Sequence, residues 1–578
     1  MTRYLLGVSG YSHESAVALI NSEGKLVDYC REEYLSRIKS DKSFPKRSIK
    51  KLLSQNNIEY CDIESVCFYE KPLTAYINPI KTAISNLPKS LDLCIHQLKN
   101  FRKSSINFFS DLSDVDKSLG KKVIYCDHHL SHTLTSLFYK ENKEYCSIVI
   151  DGFGDHSTST IHLVQGIDNI SEIWSSQYPA SLGLFYSAIT DFLGFAVNEG
   201  EYKVMGLSAF GEPKFIDKFR SIISFEEGRV EMDMDYFSYH LSLTDSYSSK
   251  LSNALNINPR NSLVRLETSN SDFQVYADIA ASAQLVLLEI ITKIFKYAYS
   301  LTSSSDFLFS GGVAMNSASI RSILQENSFI NSLYIPPSPG DAGAAIGAAY
   351  YALIRSNPKP SIFTSSKSIN LFPCRNEELL SPNTLSLMDK EFEVIADSDN
   401  IFPICAELIA TGNIIATCLP GVETGPRALG HRSLLCDGTN HSAVKYLNEV
   451  IKKRSPFRPT APAMTVETAR KYYNIDNRIL SLYYSMGATC SCKEGAPSIS
   501  FPTTHCDGTA RLQIVEEGSF LDTLLGYLNK HDKFILANTS LNLSSDPIAY
   551  DLIDAIVVAL RSNLSYVLTE KKLFKKRG

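Results

Sequence analysis

The stretch YLLGVSGYSHESAVALINSEGKLVDYCREE, residues 4–33, decides how the rest of the chain is read. It opens with a short apolar run and breaks at Tyr11–Glu14. It resumes as SAVALI, turns through NSEGK and ends in KLVDYCREE, the pattern of three short strands joined by tight turns. About 140 residues further on the figure recurs. YCSIVIDGFGD, residues 145–155, is an apolar strand ending in an Asp and a glycine turn. STSTIHLVQ follows it, and after GIDN comes ISEIWSSQYP. Two strand–turn–strand–turn–strand units in one chain point to a duplicated α/β domain.

Hairpins of this kind, with glycine at the turn, open each half of the actin-like ATPases and wrap phosphates there. An actin-like N-terminal domain is therefore expected. Between the units, residues 75–118 read as helical. Beyond them lie SLGLFYSAITDFLGF, the glycine-rich turn NEGEYKVMGLSAFGEP and a long amphipathic helix from Asp272. DFLFSGGVAMNSASIRSIL then reads as strand, glycine turn and helix. PPSPGDAGAAIGAAYYALI reads as a loop, an Asp at a helix start and an Ala/Gly-rich helix able to pack closely. RSNPKPSIFTSSKS is rich in Ser and Pro. It divides the expected domains, 1–357 and 373–578, with 358–372 as linker.

The length of 578 residues exceeds one ordinary core, and 44% hydrophobic with 21% charged residues is a globular balance. A net charge of −5 with both signs scattered excludes a basic nucleic-acid surface as the main business. Most of the 13 cysteines sit singly in apolar stretches, as buried thiols do, and the Cys490–Cys492 pair has no second pair at zinc-finger spacing. The N-terminus lacks a signal peptide's continuous apolar core. No run is expected to reach the roughly 18 apolar residues of a membrane span. AQLVLLEIITKIFKYAYSL comes nearest, interrupted by Glu289, Lys293 and Lys296. A cytoplasmic protein with neither membrane nor nucleic acid as partner is the expectation.

Two sets of residues carry chemistry. In DHHLSH, His128 and His132 are four apart, so a helix puts both imidazoles on one face. Taken alone, the segment favours a helix start capped by Asp127 with incidental histidines. Carboxylates at turn positions, Asp151 in VIDGFGD and Asp341 in PGDAGAA, complete a donor set that suits Fe(II), Mn(II) or Zn(II) better than Ca or Mg. Gly311 and Gly312, between a strand and a helix, let backbone approach a phosphate. The second set is C-terminal. Arg427 and Arg432 lie in PGVETGPRALGHRS; Lys452, Lys453, Arg454 and Arg458 in EVIKKRSPFRPTAP; His505 and Arg511 in THCDGTARLQ; Asn538, Thr539, Ser540 and Asn542 in LANTSLN. Guanidinium groups among prolines and glycines read as a cradle for a small phosphorylated ligand.

In GYSHESAVAL, DHHLSH, DGFGD, EYKVMGLSAFG, SGGVAMN, PGDAGAAIGAA, GPRALGHRS, FRPTAP, HCDGTARLQ and NTSLN, taken in this order, the chain resembles the ATP-dependent O-carbamoyltransferases of nodulation-factor and antibiotic biosynthesis. The resemblance runs nearly end to end. It implies an actin-like N-terminal domain and a YrdC-like α/β C-terminal domain. In the latter, carbamoyl phosphate and Mg-ATP would give carbamoyl-adenylate with release of pyrophosphate. The N-terminal domain would pass the carbamoyl group to a hydroxyl of a small-molecule or glycan acceptor, helped by Fe(II) or another divalent transition metal; a homodimer is admitted. His128, His132, Asp151 and Asp341 fall on the metal motifs. Gly311, Gly312 and Asn316 fall on the adenosine segment, and Arg427, Arg458, Arg511, Ser540 and Asn542 on the carbamoyl phosphate and nucleotide site, to which Arg432, Lys453 and His505 are added. His13 is the candidate for the acceptor's proton, with Asp151 and Arg511 as the other catalytic residues. The family's His-Asp stands here as His13-Glu14. Lys203 and Glu201 would touch nucleotide phosphates or order their loop. Alternatives are a threonylcarbamoyl-adenosine-type tRNA enzyme and an actin-like ATPase or kinase, the latter leaving GPRALGHRS and HCDGTARLQ without work.

Overall fold

The structure is a computed structural model that describes residues 3–357, 371–372, 382–398, 400–455, 457–458, 460–544 and 546–577. Residues 358–370 of the expected linker and 373–381 of the expected second domain lie outside the described residues. The chain divides into two compact units, Met1–Ser36 with Ser40–Ser366, and Arg37–Lys39 with Lys367–Gly578. The short excursion Arg37–Lys39 has no signal in composition or pattern.

Unit 1 contains the duplication. Its first sheet is built from β1 (Tyr4–Ser9), β2 (Ala16–Asn21), β3 (Leu26–Arg31), β4 (Ile63–Phe68) and β5 (Val123–Tyr125), in the order β3-β2-β1-β4-β5. β1–β3 are antiparallel neighbours, whereas β4 runs parallel to β1 and β5 parallel to β4. After α1 (His128–Phe138) the same figure is drawn again. It uses β6 (Glu144–Gly154), β7 (Ser157–Gln165), β8 (Ile170–Gln177), β9 (Asp306–Ser310) and β10 (Ser332–Tyr334), ordered β10-β9-β6-β7-β8. Third, second, first, fourth, fifth is the order in both halves, so the actin-like reading of residues 4–33 and 145–177 is realised in the topology. β1 and β2 are buried almost throughout, which is why they read as continuous apolar runs.

The stretch expected to be helical holds the helices Pro72–Ser85 and Leu91–Val115 and the start of a short one, Lys117–Gly120. One expectation is corrected. α2 (Phe273–Thr302) is long and apolar enough by composition to cross a membrane. In the structure 72% of its most apolar window is buried, so it serves as a core helix of unit 1. Phe295 packs there on Phe307 and Phe309 of β9. α3 (Asp341–Ser356) lies against β1 and α1 with almost no intervening side chain. A Cβ on Gly7 would stand 2.0 Å from the Ala345 carbonyl, and one on Gly347 would stand 1.8 Å from that of Ser131. Each helix-interior glycine costs roughly 1 kcal/mol in propensity. The close approach it permits brings the first residue of α3 to the start of α1.

Unit 2 is a three-layer α/β structure. β11 (Phe392–Asp397), β12 (Ile415–Cys418), β13 (Arg432–Asp437), β14 (Ala461–Met464), β15 (Gln513–Ile514), β16 (Leu536–Ser540), β17 (Tyr566–Leu568) and β18 (Lys572–Lys576) form one mixed sheet. Their order is β11-β18-β17-β12-β13-β16-β14-β15. Alternate residues face opposite layers. Ile415, Leu435 and Leu536 pack with helices Ile401–Ala410 and Phe520–Leu528; Ala416, Leu434 and Ala537 pack with helix Leu552–Leu560. β13 and β16 lie side by side at the middle of this sheet and bring the GPRALGHRS and NTSLN segments together.

Candidate active site

In unit 1, four polar side chains converge. α1 begins straight after β5, and His128 and His132, one turn apart, share the face turned toward the end of β6. Asp151 sits where the β6–β7 ladder breaks between Ile150 and Gly154. Asp341 is the first residue of α3. The two Nε2 atoms are 3.2 Å apart. Asp151 Oδ2 lies 3.4 Å from that of His128 and 3.2 Å from that of His132, and Asp341 Oδ1 lies 3.7 and 3.4 Å from them. All four side chains are buried, and one donor atom from each lies within 4.8 Å of the others.

These positions are held from outside the cluster. Asp155 accepts the backbone N–H of His128 at 2.7 Å and that of Lys71 at 2.8 Å. The Tyr69 hydroxyl donates to Asp341 Oδ2 at 3.4 Å, and the Gly152 N–H to Asp151 Oδ1 at 2.7 Å. A Cβ on Gly154 would stand 2.0 Å from the His128 ring, so DGFGD needs glycine there. Burial works against charge on these groups, yet the hydrogen bonds with both histidines hold Asp151 well below the usual carboxylate range. Against the same burial, Asp151, Asp341 and Glu70 push His128 up to about 9. His129, turned away from the cluster, is kept well below the ordinary imidazole range by burial and by His128 and His132.

The donor set fits a divalent transition metal. Ligands at about 2.1 Å from one ion stand roughly 3.0–4.2 Å from one another, according to the angle between them. The separations that involve the two imidazoles, 3.2 to 3.7 Å, fall in that range. Two imidazole nitrogens with two carboxylate oxygens suit Fe(II), Mn(II) or Zn(II). Four buried ionisable groups facing one point are costly without a partner of that sort.

Of the remaining candidates in unit 1, Gly311 has φ +89, and a Cβ there would stand 2.3 Å from the Ile150 carbonyl. A Cβ on Gly312 would be 2.9 Å from Asp151 Oδ1, so the glycine turn runs directly beside the cluster. Asn316 exchanges two hydrogen bonds with Gln284, at 2.9 and 3.1 Å. His13 is partly exposed in the β1–β2 turn. Its neighbour Glu14 is bound by the buried Arg31 at 2.7 Å, and Arg31 also holds Glu33 at 2.9 Å. Lys203 stands 5.5 Å from the Phe195 ring centroid. Glu201 accepts from Ser187 Oγ and from the backbone of Asn198 and Gly200, which is the loop-ordering role.

In unit 2 the cations gather. Arg511 is largely buried, and its Nε has no hydrogen-bond partner. Burial, together with the guanidinium groups of Arg427, Arg454 and Arg458, pushes it well below the usual arginine range. Lys452, 1% exposed, donates to the Ser540 carbonyl at 2.7 Å and to the backbone and side-chain oxygens of Asn542. Burial, Arg454 and Arg458 lower it as well. The Ser540 hydroxyl in turn donates to Asn542 Oδ1 at 2.7 Å. The GPRALGHR loop is fixed from within. The Glu423 carboxylate accepts the N–H groups of Leu429, His431 and Arg432, and Asn538 and Gln513 donate to the carbonyls of Ala428 and Leu429.

Residues 4–350 match the family described as "Carbamoyltransferase N-terminus" and residues 406–576 the one described as "Carbamoyltransferase C-terminus". The chain belongs to the carbamoyltransferase family. It is a transferase. Full-length similarity extends to the "Uncharacterized protein sll1178" of Synechocystis sp., 29% identical over 99% of this chain and 97% of that one. The "Nodulation protein NolNO" of Sinorhizobium fredii is 26% identical over 98% of this chain and 79% of its own length. The "Nodulation protein NolO" of Bradyrhizobium diazoefficiens is 28% identical over 78% and 79%.

One assignment in this carbamoyltransferase is corrected. Arg432 is fully buried, and its guanidinium donates to the carbonyls of Leu419, His431 and Tyr550, so it is scaffold and not part of the cradle. Lys453 is exposed, with φ +47, and has no hydrogen bond or ion pair among the described residues, whereas Lys452 beside it is buried against Ser540 and Asn542. His505 bonds the Phe457 carbonyl at 3.2 Å and lies 3.7 Å from Asp507, which ties it to the loop carrying Arg458. The supporting groups Tyr69 and Glu70 lie outside the motif segments and far in sequence from Asp341 and His128, and only the fold brings them there. Glu423 and Gln513 stand within motif segments, but nothing in the sequence distinguishes them as supports.

Proposed function

We propose that this carbamoyltransferase works in two steps, one in each unit. In unit 2, carbamoyl phosphate, ATP and water give carbamoyl-adenylate with release of orthophosphate and pyrophosphate. In unit 1, the carbon–oxygen bond between carbamoyl and AMP breaks while the hydroxyl of a small-molecule or glycan acceptor bonds to the carbamoyl carbon. The observation that carries this reading is Arg511, a buried guanidinium with an unpaired Nε and three further guanidinium groups for neighbours. Like charges packed this closely repel until an anion neutralises them, and a phosphorylated substrate does so.

Arg427, Arg454, Arg458 and Arg511 bind phosphate oxygens and stabilise the charge on departing pyrophosphate. Lys452 holds Ser540 and Asn542 in place to orient the nucleotide. His128, His132, Asp151 and Asp341 would hold the divalent transition metal, which when bound supplies Lewis-acid polarisation of the carbamoyl carbonyl. Gly311 and Gly312 keep side chains away from the ligand beside Asp151. His13, which makes no hydrogen bond to another described residue, takes the proton of the acceptor hydroxyl, and AMP leaves as the weaker base. The test is pyrophosphate release from ATP, Mg²⁺ and carbamoyl phosphate without an acceptor. We expect release that depends on carbamoyl phosphate and is lost in Arg511→Ala. ADP and orthophosphate with no pyrophosphate would favour an actin-like ATPase or kinase.

A further inference from the structure

Tyr11 stands in the β1–β2 turn with φ +71, and among the described non-glycine residues with left-handed backbone it is the aromatic one. A bulky side chain is seldom found in that conformation, and it persists where the surroundings over-determine it. They do so here. The Tyr11 N–H donates to the Lys42 carbonyl at 2.8 Å, and the ring lies against Phe44 and Phe68, with centroids 6.2 and 6.0 Å away. Helix Leu91–Val115 closes the arrangement. Its Phe108 is fully buried against Phe44 and Phe68, at 6.0 and 4.4 Å. Asp111, one turn further along the same face, accepts the Tyr11 hydroxyl at 2.6 Å. A carboxylate acceptor makes this the stronger sort of hydrogen bond. Burial and Asp111 both push the Tyr11 hydroxyl up, so it stays a donor.

The residues that follow lead to the converging four. Ser12 stands beside the Tyr69 hydroxyl, the donor to Asp341 Oδ2 at 3.4 Å. Glu14 is bound by Arg31 at 2.7 Å and lies within electrostatic reach of both His13 and Asp341. The Ser15 N–H donates to the Asp41 carbonyl at 2.8 Å. His13 itself makes no hydrogen bond to another described residue, so its place is set by the backbone on either side. Tyr11 fixes that backbone on one side, Glu14 and Ser15 on the other.

We propose that Tyr11 and Asp111 are positioning residues for the transfer step, their bond holding the strained turn in the form that aims His13 at the acceptor hydroxyl. That His13 takes the acceptor's proton rests on the reading above; that the pair fixes the turn does not. The first arm of the test is NMR of the full chain labelled with ¹³C at histidine Cε1, the His13 signal being assigned by its loss in His13→Gln. Tyr11→Phe and Asp111→Ala should displace this signal to the same new position and leave that of His505 in place. Asp111→Asn, whose amide oxygen still accepts the hydroxyl, should keep it close to that of wild type. The second arm measures AMP release from ATP, Mg²⁺ and carbamoyl phosphate with water as the acceptor. The carbon–oxygen bond to AMP breaks, the water oxygen bonds to the carbamoyl carbon, its proton passes to His13, and carbamic acid and AMP leave. Tyr11→Phe and Asp111→Ala should each lower kcat for AMP release about tenfold, and the double variant no further. KM for ATP and carbamoyl phosphate and the first-turnover pyrophosphate burst should be unchanged. A His13 signal unmoved by either variant, AMP release unchanged in both, or losses that add in the double variant overturns the proposal. Failure of the carbamoyl-adenylate reading looks different: no pyrophosphate from wild type, with the His13 signal still displaced by both variants.

Discussion

Lys452 and Lys453 are neighbours in sequence with opposite surroundings, one buried against Ser540 and Asn542 and the other in solvent. Arg511→Ala should lower carbamoyl phosphate-dependent pyrophosphate release by about 10²–10³, the usual loss when a donor to developing charge is removed. Lys452→Ala should lower it as well, through the lost positioning of Ser540 and Asn542. Lys453→Ala should leave the rate within about twofold, since a solvated charge is screened. His505 and Asp507 give a pH signature. Burial opposes both charges, but their pairing raises the imidazole to about 10 and keeps the carboxyl at about 2. A raised histidine stabilises fully below its ordinary value near ~6.5 and loses that contribution as pH rises through 10; a depressed aspartate stabilises above ~3.9 and loses it as pH falls through 2. NMR titration should find the His505 ring still protonated at pH 8, and Asp507→Asn should return it toward ~6.5. At this scale the sequence revealed residues of unambiguous chemistry, the two histidines and two aspartates above all. It could not tell Lys452 from its neighbour, or Arg432 from a cradle residue, because burial and partners are set by segments 88 to 118 residues away.

Elements position these residues through close contacts that need glycine. Gly347→Ala should gain about 1 kcal/mol in helix propensity and lose about 1–3 kcal/mol to overpacking against the Ser131 carbonyl. A lowered melting temperature is the expected sign, and a raised one would mean that α1 and α3 have room to separate. Gly154→Ala should act differently. Its Cβ would meet the His128 ring, so bound transition metal, measured by elemental analysis of the purified protein, should fall before stability does. The strand figures at residues 4–33 and 145–177 were legible because each has apolar runs closed by turn residues. Length and hydropathy alone are the same for a core helix and a span, and for α2 it was the interruption by Glu289, Lys293 and Lys296 that pointed to an amphipathic helix.

In the whole molecule, the duplicated unit carries the histidine–aspartate cluster and the other unit carries the arginines. The order of motifs along the chain announced this division. The excursion of Arg37–Lys39 did not announce itself, because a three-residue loop assigned to the other unit leaves no periodic trace. Separate sites imply separable defects. The most direct measurement takes metal content and carbamoyl phosphate-dependent pyrophosphate release on the same preparations of wild type, His128→Ala and Arg511→Ala. We expect His128→Ala to lose the metal and keep pyrophosphate release, and Arg511→Ala to keep the metal and lose release. Loss of both properties together in either variant, with the fold retained, would contradict a division of the two chemistries between the two units.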